Sequence, residues 1–519
     1  MAENRSLSFI FVLYLCFWSV NSSNVLWISG LASPSHQLWS GVLLRALAAR
    51  GHNITALSVD IEGRKTPNVS HIHMENIYEF YYNKNKNLTK MQKNSAVNDI
   101  IDIANFRSDS CIPAFNSRGA QKLMDYPKTF KFDLVVHDFA ASQCLLGFVP
   151  RFGSPPLVGV SASTCPVGIA DVSGNPLYPA LIPANHLRVG YSMNFLVRVY
   201  NVFIYVYDNL VRQYYMIPRQ NEMARKYFGD DDLDVGAISR SSVLTLVNLS
   251  PADVMLPLFQ TVIPVGGMQI QDPGPLDDEL NSFMSKSEKG VIYFALGTII
   301  KSEQFSSVQV KYFLDAFARF PSYRFVWKYD PALMIQAIPE NVMIRKWMPQ
   351  NDILANPLVK VFIGHGGALS CHEAAWYGIP QLLLPFIIDQ KHNSAKAEER
   401  GVALQLNKDN LSEDMIYDKL YQLLYDSSFR ENSMAFSRTF RDQPQAPLER
   451  AVFWMEYAIR HGSGLKLRSP GQDLGFVRQM ALDVVLFYLT TIILLIMLIK
   501  LGTNRVLASV AVTKKVKTT

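Results

Sequence analysis

Phe362-Ile-Gly-His-Gly-Gly-Ala-Leu-Ser-Cys-His-Glu373, continuing through Gly378-Ile-Pro380 to Pro385-Phe-Ile-Ile-Asp-Gln390, is the most informative stretch of this 519-residue chain. An apolar strand ends in a glycine-rich turn, and a helix begins. Gly366 and Gly367 let a ligand approach the backbone. The unpaired N–H groups and dipole of a helix start favour an anion, here a diphosphate. His365 adds a donor at the same point, and Ser370 stands in the first helical turn. Glu373 falls about two turns into the helix, where a carboxylate accepts from ribose hydroxyls. Asp389 and Gln390 follow the next strand, and an acid beside an amide at a strand's carboxyl end suits a polyhydroxyl sugar. A lone His-Gly-Gly is an ordinary turn, but a simple turn does not explain the whole spaced set.

The surrounding sequence alternates strands and helices. Residues 291–296 read as a strand ending at Gly297-Thr298, and 323–329, 342–347, 359–363 and 379–384 as further strands. The first half opens similarly: strand 24–30, loop 31–36, a helix closed by Gly51, then strand 54–59, with a buried strand over 132–137 later. Two such runs predict an α/β protein of two Rossmann-like, doubly wound domains facing each other across a cleft. The turn-rich segment 266–278 is the expected linker. A loop at the carboxyl end of a parallel strand faces the cleft, so His36 and Asp138 both point there. A hydroxyl is a poor nucleophile until a base takes its proton, and imidazole titrates near neutrality. A carboxylate beside it fixes the tautomer and stabilises imidazolium. His137 should point to the other face of its strand.

The stretch 347–390 resembles the signature of family 1 UDP-glycosyltransferases, the group that includes animal UDP-glucuronosyltransferases. Trp347-Met-Pro-Gln-Asn351 is similar to that family's Trp-x-Pro-Gln element, and Phe294-Ala-Leu-Gly-Thr298 to its Phe-Ser-x-Gly-Ser. The resemblance covers nearly the whole chain and implies the GT-B arrangement. It also implies that Trp347 stacks on uracil, that Gln350 and Glu373 meet the ribose, and that Asp389 and Gln390 hold the sugar. Gly297, Thr298, His365, Gly366, Gly367 and Ser370 complete the donor set around the diphosphate. His36 takes the place of the family's catalytic base and Asp138 that of its partner. His-Gly-Gly followed by Ala-Leu-Ser is closer to arthropod members. Three departures stand out: Thr298 for Ser, Leu369 for Asn, and Leu256-Pro257 for Arg-Pro, the last removing a cation near the donor. The implied reaction is inverting, metal-independent transfer of a sugar, with glucose favoured, from a UDP-sugar to a small lipophilic acceptor. The UDP-sugar is a co-substrate, and no cofactor is implied. Such an activity fits detoxification. The rival readings are a catalytically silent protein that binds sugar nucleotide or lipophile, and an enzyme that glycosylates membrane lipid.

The ends set the expected topology. Residues 7–20 are apolar after Arg5 and lead into Asn21-Ser22-Ser23, which reads as a signal peptide over 1–23. The second apolar run, 484–499, lies between Asp483 and Lys500 and would reach about 24 Å as a helix. Extended to 481–500 it predicts a single transmembrane helix, followed by a basic tail over 501–519 that the positive-inside tendency places in the cytosol. Between signal and span the expected layout is an acceptor-binding domain 24–267, a UDP-sugar-binding domain 268–440, and return helices 441–480. Lys515 and Lys517 have the spacing of a dilysine retrieval signal, which points to the endoplasmic reticulum membrane with a lumenal body. Asn53, Asn68, Asn87, Asn248 and Asn410 head glycosylation sequons, although Pro251 follows Asn248 closely.

Composition excludes other classes. Hydrophobic residues make up 49% and charged residues 18%, so the chain is not disordered, and a dispersed net charge of +6 gives nucleic-acid binding little support. Asp230-Asp231-Asp232 has the Asp-x-Asp form of a metal site but lies in a polar stretch, so it reads as a solvated loop and no metal is expected. Cys111, Cys144, Cys165 and Cys371 remain after the signal, allowing one disulfide or none. The aromatic stretch 195–230 reads as core and domain-surface packing rather than a membrane-bound helix or lid. Acceptor identity and homo-oligomerisation stay open.

Overall fold

Continuous apolar runs become strands buried on both faces, as parallel sheets covered by helices require. The computed structural model describes residues 22–60, 65–84, 95–253, 257–462, 469 and 471–516, so the expected signal peptide lies almost wholly outside the described residues. The first sheet contains β1 (Asn24–Ser29), β2 (Asn53–Ser58), β3 (Val69–His73), β4 (Leu134–Asp138), β5 (Leu157–Ser161), β6 (Leu244–Val247) and β7 (Val262–Pro264). Its order is β3-β2-β1-β4-β5-β6-β7, all parallel. The second contains β8 (Gly290–Phe294), β9 (Tyr323–Lys328), β10 (Val342–Arg345), β11 (Val359–Gly364), β12 (Gln381–Leu383) and β13 (Ala403–Gln405). Its order is β10-β9-β8-β11-β12-β13, also all parallel. In each sheet the strand order reverses beside the first strand, between β1 and β4 and between β8 and β11. Ligands of doubly wound sheets bind at such points.

Eight helices matter for the site and its surroundings: α1 (Pro34–Ala49), α2 (Phe195–Val211), α3 (Gln350–Ala355), α4 (Ala368–Tyr377), α5 (Asp389–Glu399), α6 (Pro447–His461), α7 (Gly471–Gln479) and α8 (Leu482–Val516). Successive residues of β1 feed opposite cores. Leu26 and Ile28 pack with Val135, Leu146 and Phe148, whereas Val25 and Trp27 pack with Trp39 and Leu43 of α1. Ala451, Val452, Met455 and Ala458 of α6 join the latter core, so the chain returns to the first lobe after completing the second.

Several expectations change. The helix expected after His36 starts earlier: extended Ser33 precedes it without a side-chain capping bond, and Pro34 takes its first turn, where a missing N–H costs nothing. Asn248 is fully buried, and its amide donates to the Ala162 carbonyl (2.9 Å), so the folded chain leaves no room for a glycan on it. Asn53, Asn68 and Asn410 are exposed, and Asn87 lies outside the described residues. Cys111 and Cys144 form a disulfide, while Cys165 and Cys371 are free. α8 does not stop near Lys500 but continues through Gly502 to Val516, with no proline to break it. It is long and apolar enough to cross a membrane and fits a membrane anchor. Lys515 lies in its last turn, and Lys517 lies outside the described residues. The outer side chains of α2 are exposed rather than packed.

Candidate active site

Register explains why distant residues meet. Ile28 of β1 pairs with His137 of β4, so the two strands end side by side. The loop after β1 is pinned by Gln37, whose amide donates to Ser29 Oγ (2.8 Å) and the Leu31 carbonyl (2.9 Å). α1 then presents His36 in its first turn. Its Nδ1 lies 3.3 Å from Asp138 Oδ2. Burial opposes ionisation of Asp138, but hydrogen bonds from His36 and the Ala140 N–H hold its carboxyl below the usual range. His137 points into the core, where burial pushes its pKa down to about 4 and keeps the ring neutral.

In the second sheet Phe294 of β8 pairs with both Ile363 of β11 and Trp327 of β9. Three loops therefore converge: Gly297-Thr298, His365-Gly366-Gly367 and the end of β9. His365 is half-buried, and desolvation with the nearby Lys328 charge pushes its pKa down to about 4, so it is a neutral donor rather than a cation. The two glycines are also required by the protein's own packing. A Cβ on Gly367 would strike the His365 ring. A Cβ on Gly366, whose φ is +79°, would strike Ser394 Oγ of α5 and lie 2.9 Å from the Gln390 carbonyl. α4 has no side-chain cap, so its first amides lack partners within the helix.

Trp347, with 63% of its surface exposed, offers an open ring face. Gln350 starts α3; its amide donates to Ser370 Oγ (3.2 Å) and to Glu373 Oε2, and so orients the carboxylate. Burial pushes Glu373 up to about 7. Asp389 and Gln390 open α5 directly after Ile388, whose φ of 49° is strained for a β-branched residue. Burial raises the pKa of Asp389, and Asn393 donates to its Oδ2 (3.0 Å). Gln390 Oε1 already accepts from the Phe386 and Ile387 N–H groups, which leaves its NH2 for a ligand.

Most of these groups line one cavity of about 320 Å³ between the lobes, with His36 on one side and Thr298, Trp347, Glu373 and Asp389 on the other; Asp138 and Gly366 are not part of its lining. Sequence reasoning missed Lys328. It ends β9, its Nζ donates to the Gly297 carbonyl (2.9 Å) and lies 4.7 Å from the centre of the Trp347 ring, and it also lines the cavity. Its place at a strand's carboxyl end was the available signal. Asp230-Asp231-Asp232 lies elsewhere, in an exposed turn where Asp230 Oδ1 accepts from the Asp232 N–H. Leu256 lies outside the described residues.

Residues 31–518 match the family described as UDP-glucoronosyl and UDP-glucosyl transferase. The chain belongs to that family. A UDP-glucosyltransferase 2 of Dactylopius coccus is 31% identical over 500 residues, covering 92% of this chain and 93% of the relative. Human UDP-glucuronosyltransferase 2B7 is 27% identical over 513 residues, covering 95% of each. Among solved structures, the glycosyltransferase VinC in complex with dTDP superposes with a TM-score of 0.57 at 15% identity, over 85% of this chain and 99% of that one. Spinosyn forosaminyltransferase SpnP gives 0.55 at 18%, over 84% and 99%. These likenesses establish the GT-B fold, and membership establishes a UDP-glycosyltransferase that moves a sugar from a UDP-sugar.

Proposed function

We propose that this UDP-glycosyltransferase transfers glucose from UDP-glucose to a hydroxyl of a small lipophilic acceptor, with inversion, and without a metal or cofactor. The observation that carries the reading is the His36–Asp138 contact at the cavity wall opposite Asp389. With Nδ1 turned to Asp138, His36 has Nε2 free to take the acceptor's proton while the oxygen attacks the anomeric carbon. Asp138 stabilises the imidazolium that forms. UDP departs as its bond to the sugar breaks, and a single displacement inverts the centre. The growing negative charge on the diphosphate meets the α4 amides, the neutral His365 donor, Thr298 and the Lys328 ammonium, which supply positive potential where a metal would otherwise be needed. Trp347 stacks on uracil, Gln350 and Ser370 set Glu373 for the ribose, and Asp389 and the Gln390 NH2 hold the sugar.

Glucose is favoured because Leu256 stands where a carboxylated sugar would find Arg in many relatives, and because a relative named as a glucosyltransferase spans nearly the whole chain. The body lies in the lumen of the endoplasmic reticulum, held by α8 and the Lys515/Lys517 signal. One phenol offered with UDP-glucose, UDP-glucuronate, UDP-galactose and UDP-N-acetylglucosamine, with and without chelator, tests the reading. Transfer from UDP-glucose that survives chelation is expected; a clear preference for glucuronate overturns the sugar assignment.

A further inference from the structure

A surface helix of a soluble domain turns its charges outward and its apolar stripe inward. α2 departs from this rule: it buries Ile204, Tyr205 and Val211 inward and presents apolar side chains outward as well. Its inward side includes Asn201, whose amide donates to the Pro179 and Ile182 carbonyls (2.6 and 2.8 Å) and whose oxygen accepts from the Ala184 N–H (2.8 Å). Its outward side carries Phe195, Leu196, Val199, Tyr200, Val202 and Phe203 at helical spacing, with Leu210 and Tyr214 beyond. Leu196 is 74% exposed and Tyr214 78%. The only charged residues in the helix, Arg198 and Asp208, are half-buried, so nothing charged interrupts the exposed stripe. An apolar surface of this extent in water marks a contact with something apolar.

The course of the chain indicates what that is. Phe476 of α7 is buried in the same cluster as Ile204, Tyr205 and Val211 of α2, and Met480 packs against it. Leu474 and Val477, on the other side of α7, are exposed and extend the apolar surface. α8 begins six residues after Phe476, a separation of at most about 20 Å even if the chain were fully extended. The base of the apolar span is therefore clipped to the flank of α2. The inner side of the same helix contributes Asp208 to a second cavity, of about 110 Å³, whose wall reaches Ile388 and Asp389 beside the donor groups.

We infer that α2 lies in the surface of the bilayer that α8 crosses, as a second membrane attachment, and that the acceptor cavity behind it draws lipophilic acceptors from the lipid rather than from water. The inference about acceptors rests on the transfer reaction proposed above; the membrane contact does not. Lipid is the occupant because the stripe is continuous with the residues that lead into the span, and an interfacial helix buries such a face several ångströms deep.

The full chain, reconstituted in phosphatidylcholine vesicles, tests this with a nitrobenzoxadiazole label on Val199→Cys or Phe203→Cys, and on Ile335→Cys, which is 81% exposed on the other lobe. Burial pushes the thiols of Cys165 and Cys371 up to about 12, so the unsubstituted chain serves as the labelling blank. Nitroxide-bearing lipid should quench the label at positions 199 and 203 several-fold more than at 335, with blue-shifted emission. Equal quenching at all three positions overturns the proposal. So does a blue shift that follows protein density and not lipid nitroxide, which would assign the face to a second copy of the chain. Val199→Glu with Phe203→Glu should raise KM several-fold for a membrane-partitioned phenol and leave KM for the UDP-sugar unchanged. An unchanged phenol KM overturns lateral entry. The quenching result stands whether or not glucose is transferred, so the two proposals fail separately.

Discussion

His36 and Asp138 divide one task, since a base must gain a proton without losing its orientation. His36→Ala should lower kcat by about 100- to 10,000-fold, the usual worth of a general base, while calorimetry finds UDP binding nearly intact. Asp138→Asn should do similar damage by leaving the imidazolium unstabilised; near-normal turnover in either variant removes that residue from the mechanism. Glu373 sets a pH dependence of its own. Burial raises its carboxyl from an ordinary value near 4.5 to about 7, so it is protonated below neutrality in the empty site. Only the carboxylate accepts from both ribose hydroxyls, so UDP affinity should rise as pH increases through about 7. Glu373→Gln should flatten that rise, which titration calorimetry at several pH values will read. The sign for folding is the opposite. The folded carboxyl keeps its proton between about 4.5 and 7 while the unfolded one does not, so this group's contribution to stability falls as pH rises through that window.

At the scale of elements, α5 serves both the donor site and the union of the lobes. Its first turn carries Asp389 and Gln390. Further along, Lys391 reaches Asp99 of the first lobe (3.1 Å), Lys396 reaches Asp253 (2.5 Å) and His392 meets the Val189 carbonyl (2.7 Å). The two ion pairs are buried. Gly366→Ala should push α5 outward, because the added methyl has no room and the φ of +79° disfavours it. Weakened donor-sugar discrimination and a lower Tm are expected, with overpacking worth about 1–3 kcal/mol; unchanged values of both would show that the turn adapts. Lys396→Met leaves Asp253 short of a buried partner, and breaking such a pair costs about 3–5 kcal/mol. Denaturant unfolding should show that loss, with KM for acceptor rising as the cleft loosens. A variant as stable as the parent would mean that Arg400, which also contacts Asp253, carries the load.

For the whole molecule, the proposed contact of α2 with the bilayer, taken with the return of α6 to the first lobe, would set the cleft beside the membrane. Changing both Lys515 and Lys517 to Ser should let the protein leave the reticulum and acquire Golgi-processed glycans at the exposed Asn53, Asn68 or Asn410. Glycans that stay fully sensitive to an enzyme removing only high-mannose forms would place retention elsewhere. Peptide mapping should find Asn248 unmodified in either protein, because its side chain is enclosed in the first lobe and bonded to Ala162.

The sequence by itself determined what depends on local pattern and on order along the chain. Buried parallel strands read as unbroken apolar runs, so the paired sheets were legible, as were the helix start at residues 364–368 and the apolar span. Strand ends also told which residues face the cleft, hence His36 and Asp138. Short strands escaped, the buried β5 and β6 as well as β3, β7 and β13, because three to five residues carry little periodicity. Only the tertiary structure decided what depends on neighbours distant in sequence. It brought Lys328 beside Trp347, gave Gln350 to Glu373, tied Gln390 Oε1 to its own loop, assigned Gly366 to the packing of α5 and buried Asn248. It also turned the aromatic side of α2 outward, which composition cannot reveal, because an apolar helix reads alike whether its stripe meets a core or a membrane. The physical reason is the same throughout: propensity and periodicity act within a few residues, whereas burial, pKa and partner choice are set by which strands lie side by side.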